Sequence, residues 1–309
     1  MKKNISIIGT GLIGGSIALG LRGKGNVIFG FDKNPRNIGY AEKMGIVDFS
    51  ASMDSICVRS DIIIISVPAD VALNIIPEIL TKSKDDAIVI DVSSTKVSIC
   101  NALKYHPKRR SFIAAHPMAG TEIGGPQNAD FQILRGRKVV ICQSELNSNN
   151  ALDRAIDLFK TLGMHIELMD AETHDSLVAM VSHLPQLVSY GLANTVSLAT
   201  NDDQWSSLAA SGFDSSTRLA SSSAKIWVPI INQNKECILK YLNLFIHQME
   251  VMKEILKQND NEALVEIITQ SQMVREKFEN SSKLKIKHSH GSKIISWSST
   301  TKTVETRVE

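Results

Sequence analysis

The chain opens on a pattern that leaves its first domain little freedom. A short β-branched run, Ile5-Ser6-Ile7-Ile8, ends at Gly9-Thr10-Gly11-Leu12-Ile13-Gly14, and a helical pattern continues from Gly14 through Leu21. Three glycines at this spacing arise by chance in many chains. Between a strand and a helix they acquire physical roles: the first permits a tight turn, the second lets backbone approach a diphosphate, and the third packs helix on strand. The diphosphate would rest on the positive helix N-terminus. A glycine turn without a ligand is the plain alternative.

The next strand-like run, Val27 to Phe31, ends at Asp32, eighteen residues beyond Gly14. A carboxylate there binds the hydroxyls of an adenosine ribose and repels a 2′-phosphate, which favours NAD over NADP. Lys33 and Arg36 flank it and can offset that repulsion. Leu12 and Ile13 in the loop, with Val67 and Pro68 closing the run that starts at Ile62, complete the expected cofactor set of Gly9, Gly11, Gly14 and Asp32.

Further strand-like runs are Ile62 to Val67, Ala87 to Val92, Phe112 to Ala115, Lys138 to Cys142 and His165 to Met169. Helical stretches fall between several of them, and Pro35 suits the first turn of a helix ending near Gly45. The alternation predicts an α/β fold, a doubly wound dinucleotide-binding domain over residues 1–169. From Ala171 the strand-like runs stop, and residues 170–280 read as an all-helical domain. Ile238, Leu242, Phe245, Met249, Met252 and Leu256 form an a/d stripe on one long helix, and another helix runs from about Glu262 to Phe278. The stripe faces either a monomer core or a homodimer seam. Residues 281–309 are rich in Ser, Thr and Lys and predict a flexible basic tail, with His288 and His290 a solvated pair.

Composition narrows the function. The 34 basic and 32 acidic residues leave a net charge of +2, so no global field draws nucleic acid or a membrane surface. Cys57, Cys100, Cys142 and Cys237 form no C-x-x-C pair, so no common zinc site is expected and a reducing compartment fits. The most apolar stretch, Ile62 to Val67, falls far short of the roughly 20 residues of a bilayer span. The few residues before the first strand are too short for a signal peptide. A cytoplasmic protein is the expectation.

Three segments place polar residues where strands and helices end. Asp91-Val92-Ser93-Ser94-Thr95-Lys96 closes one strand, and Ala115-His116-Pro117-Met118-Ala119-Gly120-Thr121-Glu122 closes the next. Strand C-termini face the ligand crevice of a doubly wound sheet, so His116, stiffened by Pro117, is a candidate catalytic group. Glu122 is either a solvated carboxylate or the partner of a buried arginine at the mouth. His174-Asp175 and Ser182-His183-Leu184-Pro185-Gln186 lie on the first long helix of the second half. At 100° per residue, His174 and His183 fall about 180° apart and cannot share a metal, while Pro185 predicts a kink. Gly212-Phe213 leads to Ser216-Thr217-Arg218 and then Trp227. Arg218 in this turn suits a carboxylate clamp, or is an ordinary surface arginine.

Together these motifs resemble the prephenate/arogenate dehydrogenase family of tyrosine biosynthesis, in the family's order from residue 5 to about 280. His116 to Glu122 and Ser182 to Pro185 are the specific segments, since many dehydrogenases share the glycine loop. The resemblance implies NAD-dependent oxidative decarboxylation of a small cyclohexadienyl substrate. Prephenate would lose hydride to the nicotinamide and its ring carboxylate as carbon dioxide, giving 4-hydroxyphenylpyruvate; arogenate would give tyrosine. His116 would bond and polarise the ring hydroxyl, and Ser94 would orient that histidine and the nicotinamide. Arg218 would hold a substrate carboxylate, with Glu122 near the entrance and Thr121, His183, Gln186 and Trp227 also at the substrate. The helical half would be a dimerisation domain.

Two departures bear on the substrate. Many members carry a histidine where this chain has Gln186, and an arginine or lysine where it has Asp214. Both lower the positive charge expected at the pocket and weigh against a prephenate preference. Too few residues follow 280 to build a regulatory domain. A hydroxyacid dehydrogenase would place a lysine on the first helix of the second domain, and none lies between Asp170 and Thr200. A non-catalytic NAD-sensing protein would need neither His116 nor Arg218.

Overall fold

Four consecutive isoleucines, Ile62 to Ile65, can all be buried only in a strand covered on both faces. The computed structural model, which describes residues 3–200, 202–287 and 295–296, places them at the centre of one continuous sheet. The chain runs β1 (Asn4–Ile8), α1 (Leu12–Leu21), β2 (Val27–Phe31), α2 (Pro35–Lys43), β3 (Phe49–Ser50), α3 (Met53–Arg59) and β4 (Ile62–Ile65). It continues through α4 (Ala69–Lys82), β5 (Ile88–Asp91), α5 (Val97–Ala102), β6 (Phe112–Pro117), β7 (Lys138–Cys142), α6 (Asn149–Thr161) and β8 (His165–Met169). Ile62 and Ile64 pack into the core on one face of the sheet, Ile63 and Ile65 into the core on the other. Each such side chain contributes roughly 1.5–3 kcal/mol by leaving water.

The strand order is β3-β2-β1-β4-β5-β6-β7-β8, parallel throughout except where β6 meets β7. Sequence order reverses between β1 and β4, which pair in register from Ile5↔Ile62 to Ile8↔Ile65. The loops leaving these two strands therefore face each other across the crevice where such sheets take ligands. The predicted doubly wound fold is present, with β2, β7 and β8 at the bounds read from sequence. β3 escaped prediction because it is two residues long and its Phe49 is exposed.

Beyond β8 the described elements are helical up to Lys287: α7 (Ala171–Val178), a π-helical turn (Ala179–His183), α8 (Leu184–Ala199), α9 (Gln204–Leu208), α10 (Ser211–Thr217), α11 (Ala224–Gln233), α12 (Lys235–Gln258) and α13 (Asn261–Lys287). The bend expected at Pro185 is taken up one turn earlier. Pro185 lies in the first turn of α8, directly after the π turn, where the ordinary i→i−4 ladder that a proline would break is already interrupted. α13 runs past the expected boundary at 280. A two-residue strand, β9 (Ile295–Ser296), lies parallel to β8. The rest of the expected tail, His288 and His290 included, lies outside the described residues. No helix among the described residues is long and apolar enough to cross a membrane.

The a/d stripe of α12 divides along its length. Ile238 is buried, Leu242, Phe245 and Met252 are half-buried, and Met249 and Leu256 are exposed. Leu244 and Ile246 on α12, with Val265, Ile268 and Val274 on α13, are exposed as well.

The two halves are joined at the turn after β5. Lys96 is fully buried there, and its ammonium is paired with Asp91 and donates to Ser93 Oγ at 3.2 Å and to the Ala115 carbonyl at 2.8 Å. The backbone N–H groups of Lys96 and Val97 donate to the Asp175 carboxylate of α7, at 2.9 Å each. Asp175 thereby closes the open N-terminal end of α5 from across the domain boundary. Thr95 Oγ1 donates to Gln233 Oε1 of α11 at 2.6 Å. Removing one partner of a buried pair leaves the other charge uncompensated, at about 3–5 kcal/mol. Lys96→Met should therefore lose about that much stability in chemical denaturation, and the Asp91→Asn, Lys96→Met double variant should recover part of it. Equal losses in the single and double variants would refute the coupling.

Candidate active site

The glycine loop owes its shape to close contact with its neighbours. Gly9 has φ +91°, and a Cβ there would lie 2.2 Å from the Ser66 carbonyl oxygen, with Val67 also in contact. A Cβ on Gly14 would lie 2.0 Å from the Gly9 carbonyl oxygen. Gly11 is different: a Cβ there would meet nothing within 4 Å. The first and third glycines are required by the fold itself, and the second leaves an open face at the N-terminus of α1. That is the space a diphosphate needs.

Asp32 closes the other side. Its carboxylate accepts from Thr10 N–H at 3.0 Å and from Asn34 N–H at 2.9 Å, so the end of β2 fixes both the glycine loop and the start of α2. Phe31, Asp32, Pro35, Ile38, Ser50, Ala51 and Ser52 line a hollow of about 320 Å³. An apolar floor with one carboxylate at its edge suits the adenosine end of a dinucleotide. Lys33 and Arg36 are exposed beside it. Leu12 is buried, Ile13 half-buried, and Val67 and Pro68 border the loop between β4 and α4. These residues fit a dinucleotide laid across the crevice.

His116 ends β6 on the far side of β5. Its Nδ1 lies 2.9 Å from His174 Nε2, and His174 Nδ1 lies 2.7 Å from Asp175 Oδ1. The two rings meet edge to face at 75°. Asp175 also accepts from the two backbone N–H groups at the start of α5, so its carboxylate serves only as an acceptor here. His174 must then carry its proton on Nδ1, which leaves Nε2 as an acceptor, and His116 must donate from Nδ1. His116 Nε2 is left with a lone pair and no protein partner among the described residues. Burial holds His116 well below the ordinary histidine pKa, reinforced by His174, Lys96 and His183. Burial lowers His174 as well, against the pull of Asp175.

The 100° arithmetic that puts His174 and His183 on opposite faces assumes an uninterrupted α-helix, and the segment between them is not one. The π turn puts more residues into one turn than an α-helix does, so the phase beyond it is displaced from the 100° arithmetic. Burial takes His183 down to about 4, and His174 lies close enough to disfavour its charge further. His183 Nδ1 lies 3.2 Å from Asn234 Nδ2, and Trp227 stands edge-on to its ring at 86° with centroids 5.8 Å apart.

The remaining sequence-derived residues sit around this group. Ser94 is half-buried in the turn after β5, but no hydrogen bond joins it to His116 among the described contacts; His174 is what holds that ring. Gln186 is buried and donates to the Leu219 carbonyl at 2.6 Å. Thr121 is exposed, and its hydroxyl is bonded within its own loop to the Ile123 carbonyl. Glu122 pairs with Arg218, yet the arginine is 56% exposed rather than buried. Three contributors were not assigned from sequence: His174, Asp175 and Asn234. The His-Asp dipeptide was visible, but its two neighbours across the fold were not.

Comparison with known proteins comes to the same place. The prephenate dehydrogenase nucleotide-binding domain family matches residues 17–168, and the prephenate dehydrogenase dimerization domain family matches residues 170–270. The chain is 30% identical to the prephenate dehydrogenase of Bacillus subtilis over 85% of its own length and 73% of the relative. It is 28% identical to the cyclohexadienyl dehydrogenase of Zymomonas mobilis, covering 88% of this chain and 95% of that one. The crystal structure of A. aeolicus prephenate dehydrogenase with hydroxyphenyl propionate and NAD+ is similar at a TM-score of 0.79 and 29% identity, over 89% of this chain and 98% of the other.

The glycine loop generates a discriminating test. Gly14→Ala should destabilise the folded chain, because the new methyl collides with backbone. Gly11→Ala should fold and melt like the wild type but bind dinucleotide at least tenfold more weakly by isothermal titration. Equal affinity in Gly11→Ala would place the diphosphate elsewhere. The chain belongs to the prephenate dehydrogenase family.

Proposed function

We propose that this member of the prephenate dehydrogenase family oxidatively decarboxylates prephenate to 4-hydroxyphenylpyruvate. The observation that supports the reading best is the lone pair on His116 Nε2, fixed by the His174–Asp175 chain at a strand end beside the crevice. When bound, NAD supplies the two-electron acceptor for the reaction, which also releases carbon dioxide. The loop from Gly9 to Gly14, with Val67 and Pro68, would carry its diphosphate, and Asp32 its adenosine ribose. NAD is preferred to NADP because Asp32 leaves no room for a further negative charge.

His116 is the catalytic residue of this reading. Its Nε2 accepts the hydrogen bond of the ring hydroxyl and holds that proton while the ring carbon becomes carbonyl-like. An imidazolium could not do this, and burial keeps the ring neutral. Ser94, in the adjoining turn, would orient the nicotinamide, while the Asp175–His174 chain, rather than Ser94, sets the tautomer of His116. Arg218 takes a substrate carboxylate, exchanging it for Glu122, and Trp227 with Gln186 borders the pocket.

Arogenate is the second reading, and Gln186 favours it. The amide nitrogen of Gln186 is committed to the Leu219 carbonyl, and Asp214 adds negative charge on α10. Arogenate carries an ammonium where prephenate has a keto group, so it asks less of positive charge at that end.

Purified protein assayed with NAD and NADP, on prephenate and then arogenate, decides among these. His116→Asn should bind NAD normally and lose on the order of 10²-fold or more in turnover. The acid limb of kcat/KM should fall below pH 6.5, since only protonation of His116 removes its acceptor and burial lowers that pKa. Near-normal turnover in His116→Asn, or an acid limb above 6.5, would make His116 structural.

The chain also forms a homodimer through its helical half in this proposal, covering the exposed apolar faces of α12 and α13. Sedimentation at micromolar concentration should give twice the monomer mass, and Leu244→Lys with Val274→Glu should shift it to monomer. A fully active wild-type monomer would refute the assembly.

A further inference from the structure

Asn234 occupies the one-residue junction between α11 and α12, is almost fully buried, and contacts two different groups through a single atom. Its Nδ2 lies 2.7 Å from the backbone carbonyl of Asp175 and 3.2 Å from His183 Nδ1. A carbonyl oxygen can only accept, so the atom facing it is the amide nitrogen and not the amide oxygen. The second hydrogen of that same nitrogen is then directed at His183. His183 Nδ1 must be the acceptor, and the neutral ring must carry its proton on Nε2.

That Nε2 has no protein partner among the described residues. Nor is it one of the enclosed, unpartnered side-chain atoms, which are Arg109 Nε, Asn147 Oδ1 and Ser189 Oγ. It is therefore not sealed in the core and stands as an N–H donor free to meet a ligand acceptor. His116, whose Nδ1 is spent on His174, presents the opposite face of an imidazole: a bare Nε2 acceptor. The groups bearing on His183 are Asp175 and His174 from α7, His116 from β6, Trp227 from α11 and Asn234 itself.

We infer that Asn234 is a positioning residue that locks His183 as the Nε2–H tautomer, so that the cleft meets its substrate with one imidazole acceptor and one imidazole donor. The donor takes an oxygen acceptor of the cyclohexadienyl substrate, and in this respect the inference rests on the function proposed above. A neutral donor serves this better than a charged one. It binds an uncharged oxygen without competing with Arg218 for carboxylate, and it leaves the proton-accepting power of His116 undisturbed.

The test begins on the full-length wild-type protein without substrate. ¹⁵N NMR of the histidine rings at pH 8, assigned with His183→Gln, should show His183 with a protonated Nε2 and an unprotonated Nδ1. Asn234→Asp replaces the donor with an acceptor, so the tautomer should invert and the ring should titrate in the neutral range. KM for the cyclohexadienyl substrate should rise about tenfold, the worth of one hydrogen bond, with KM for NAD unchanged. Asn234→Ser, which keeps a donor, should retain the wild-type tautomer and recover most of that loss. A wild-type His183 protonated on Nδ1 would overturn the inference. So would a KM that rises equally in Asn234→Ser and Asn234→Asp. Because the NMR arm uses no substrate, a chain that turned over neither prephenate nor arogenate would count against the proposed function and leave the tautomer result standing.

Discussion

Everything at the centre of this molecule is referred to one carboxylate, that of Asp175. Two backbone N–H groups from the turn after β5 and one imidazole N–H from α7 converge on it. Its charge is stabilised by the N-terminal end of α5, and it fixes the proton on His174, which in turn fixes the proton on His116. The same turn is anchored from below by Lys96, whose ammonium reaches the carbonyl of Ala115, the residue before His116. A folding contact between domains and a proton-positioning contact in the cleft are thus one set of hydrogen bonds. Buried ionic groups are weak sources of stability. Their value here lies in direction, because an acceptor-only carboxylate leaves each N–H that faces it a single role.

The sheet was legible from sequence because it is built from short-range signals. β4 reads as buried from its own four isoleucines, and the glycine loop reads from a strand before it and a helix after it. The glycines even separate by role on chemical grounds: Gly9 and Gly14 are pressed against backbone, and Gly11 is open. What stayed hidden depends on contacts between residues far apart in the chain. His116 and His174 are 58 residues apart, and Lys96 and Asp175 are 79 apart. The dipeptide His174-Asp175 could be seen, but neighbours on a helix do not ordinarily face each other, so adjacency hinted at nothing.

The phase of His183 was hidden for a narrower reason. The arithmetic of 100° per residue was sound for an α-helix, and the segment is not one throughout. Five residues from Ala179 to His183 form a π turn, which no side-chain periodicity announces. Pro185 was the available signal, and it was read as a bend rather than a change of pitch. The consequence reaches the site directly, since this turn ends at His183, which lies within electrostatic reach of His174 and His116. π turns are frequent at functional sites for this reason: they re-aim one residue without breaking the helix that carries it.

Charge in the cleft is sorted by depth. At the floor, Asp91 is paired with Lys96 and Asp175 is held by backbone N–H groups; Lys96 disfavours charge on His116 and His174, and Asp175 favours it on His174 and His183, against the larger effect of burial. Above them come three histidines, which burial keeps neutral; His174 adds to the effect on His116 and His183. Arg218 and Glu122 carry a pair of charges where water reaches them. A dianionic substrate would find its cation at the entrance and neutral hydrogen-bonding groups within. This order is demanded by desolvation. An imidazolium at the reacting hydroxyl would hold the substrate by charge but could not take its proton, whereas a neutral acceptor takes the proton but cannot balance a carboxylate. In the proposed reaction, separating the two tasks in this way would let one cleft do both.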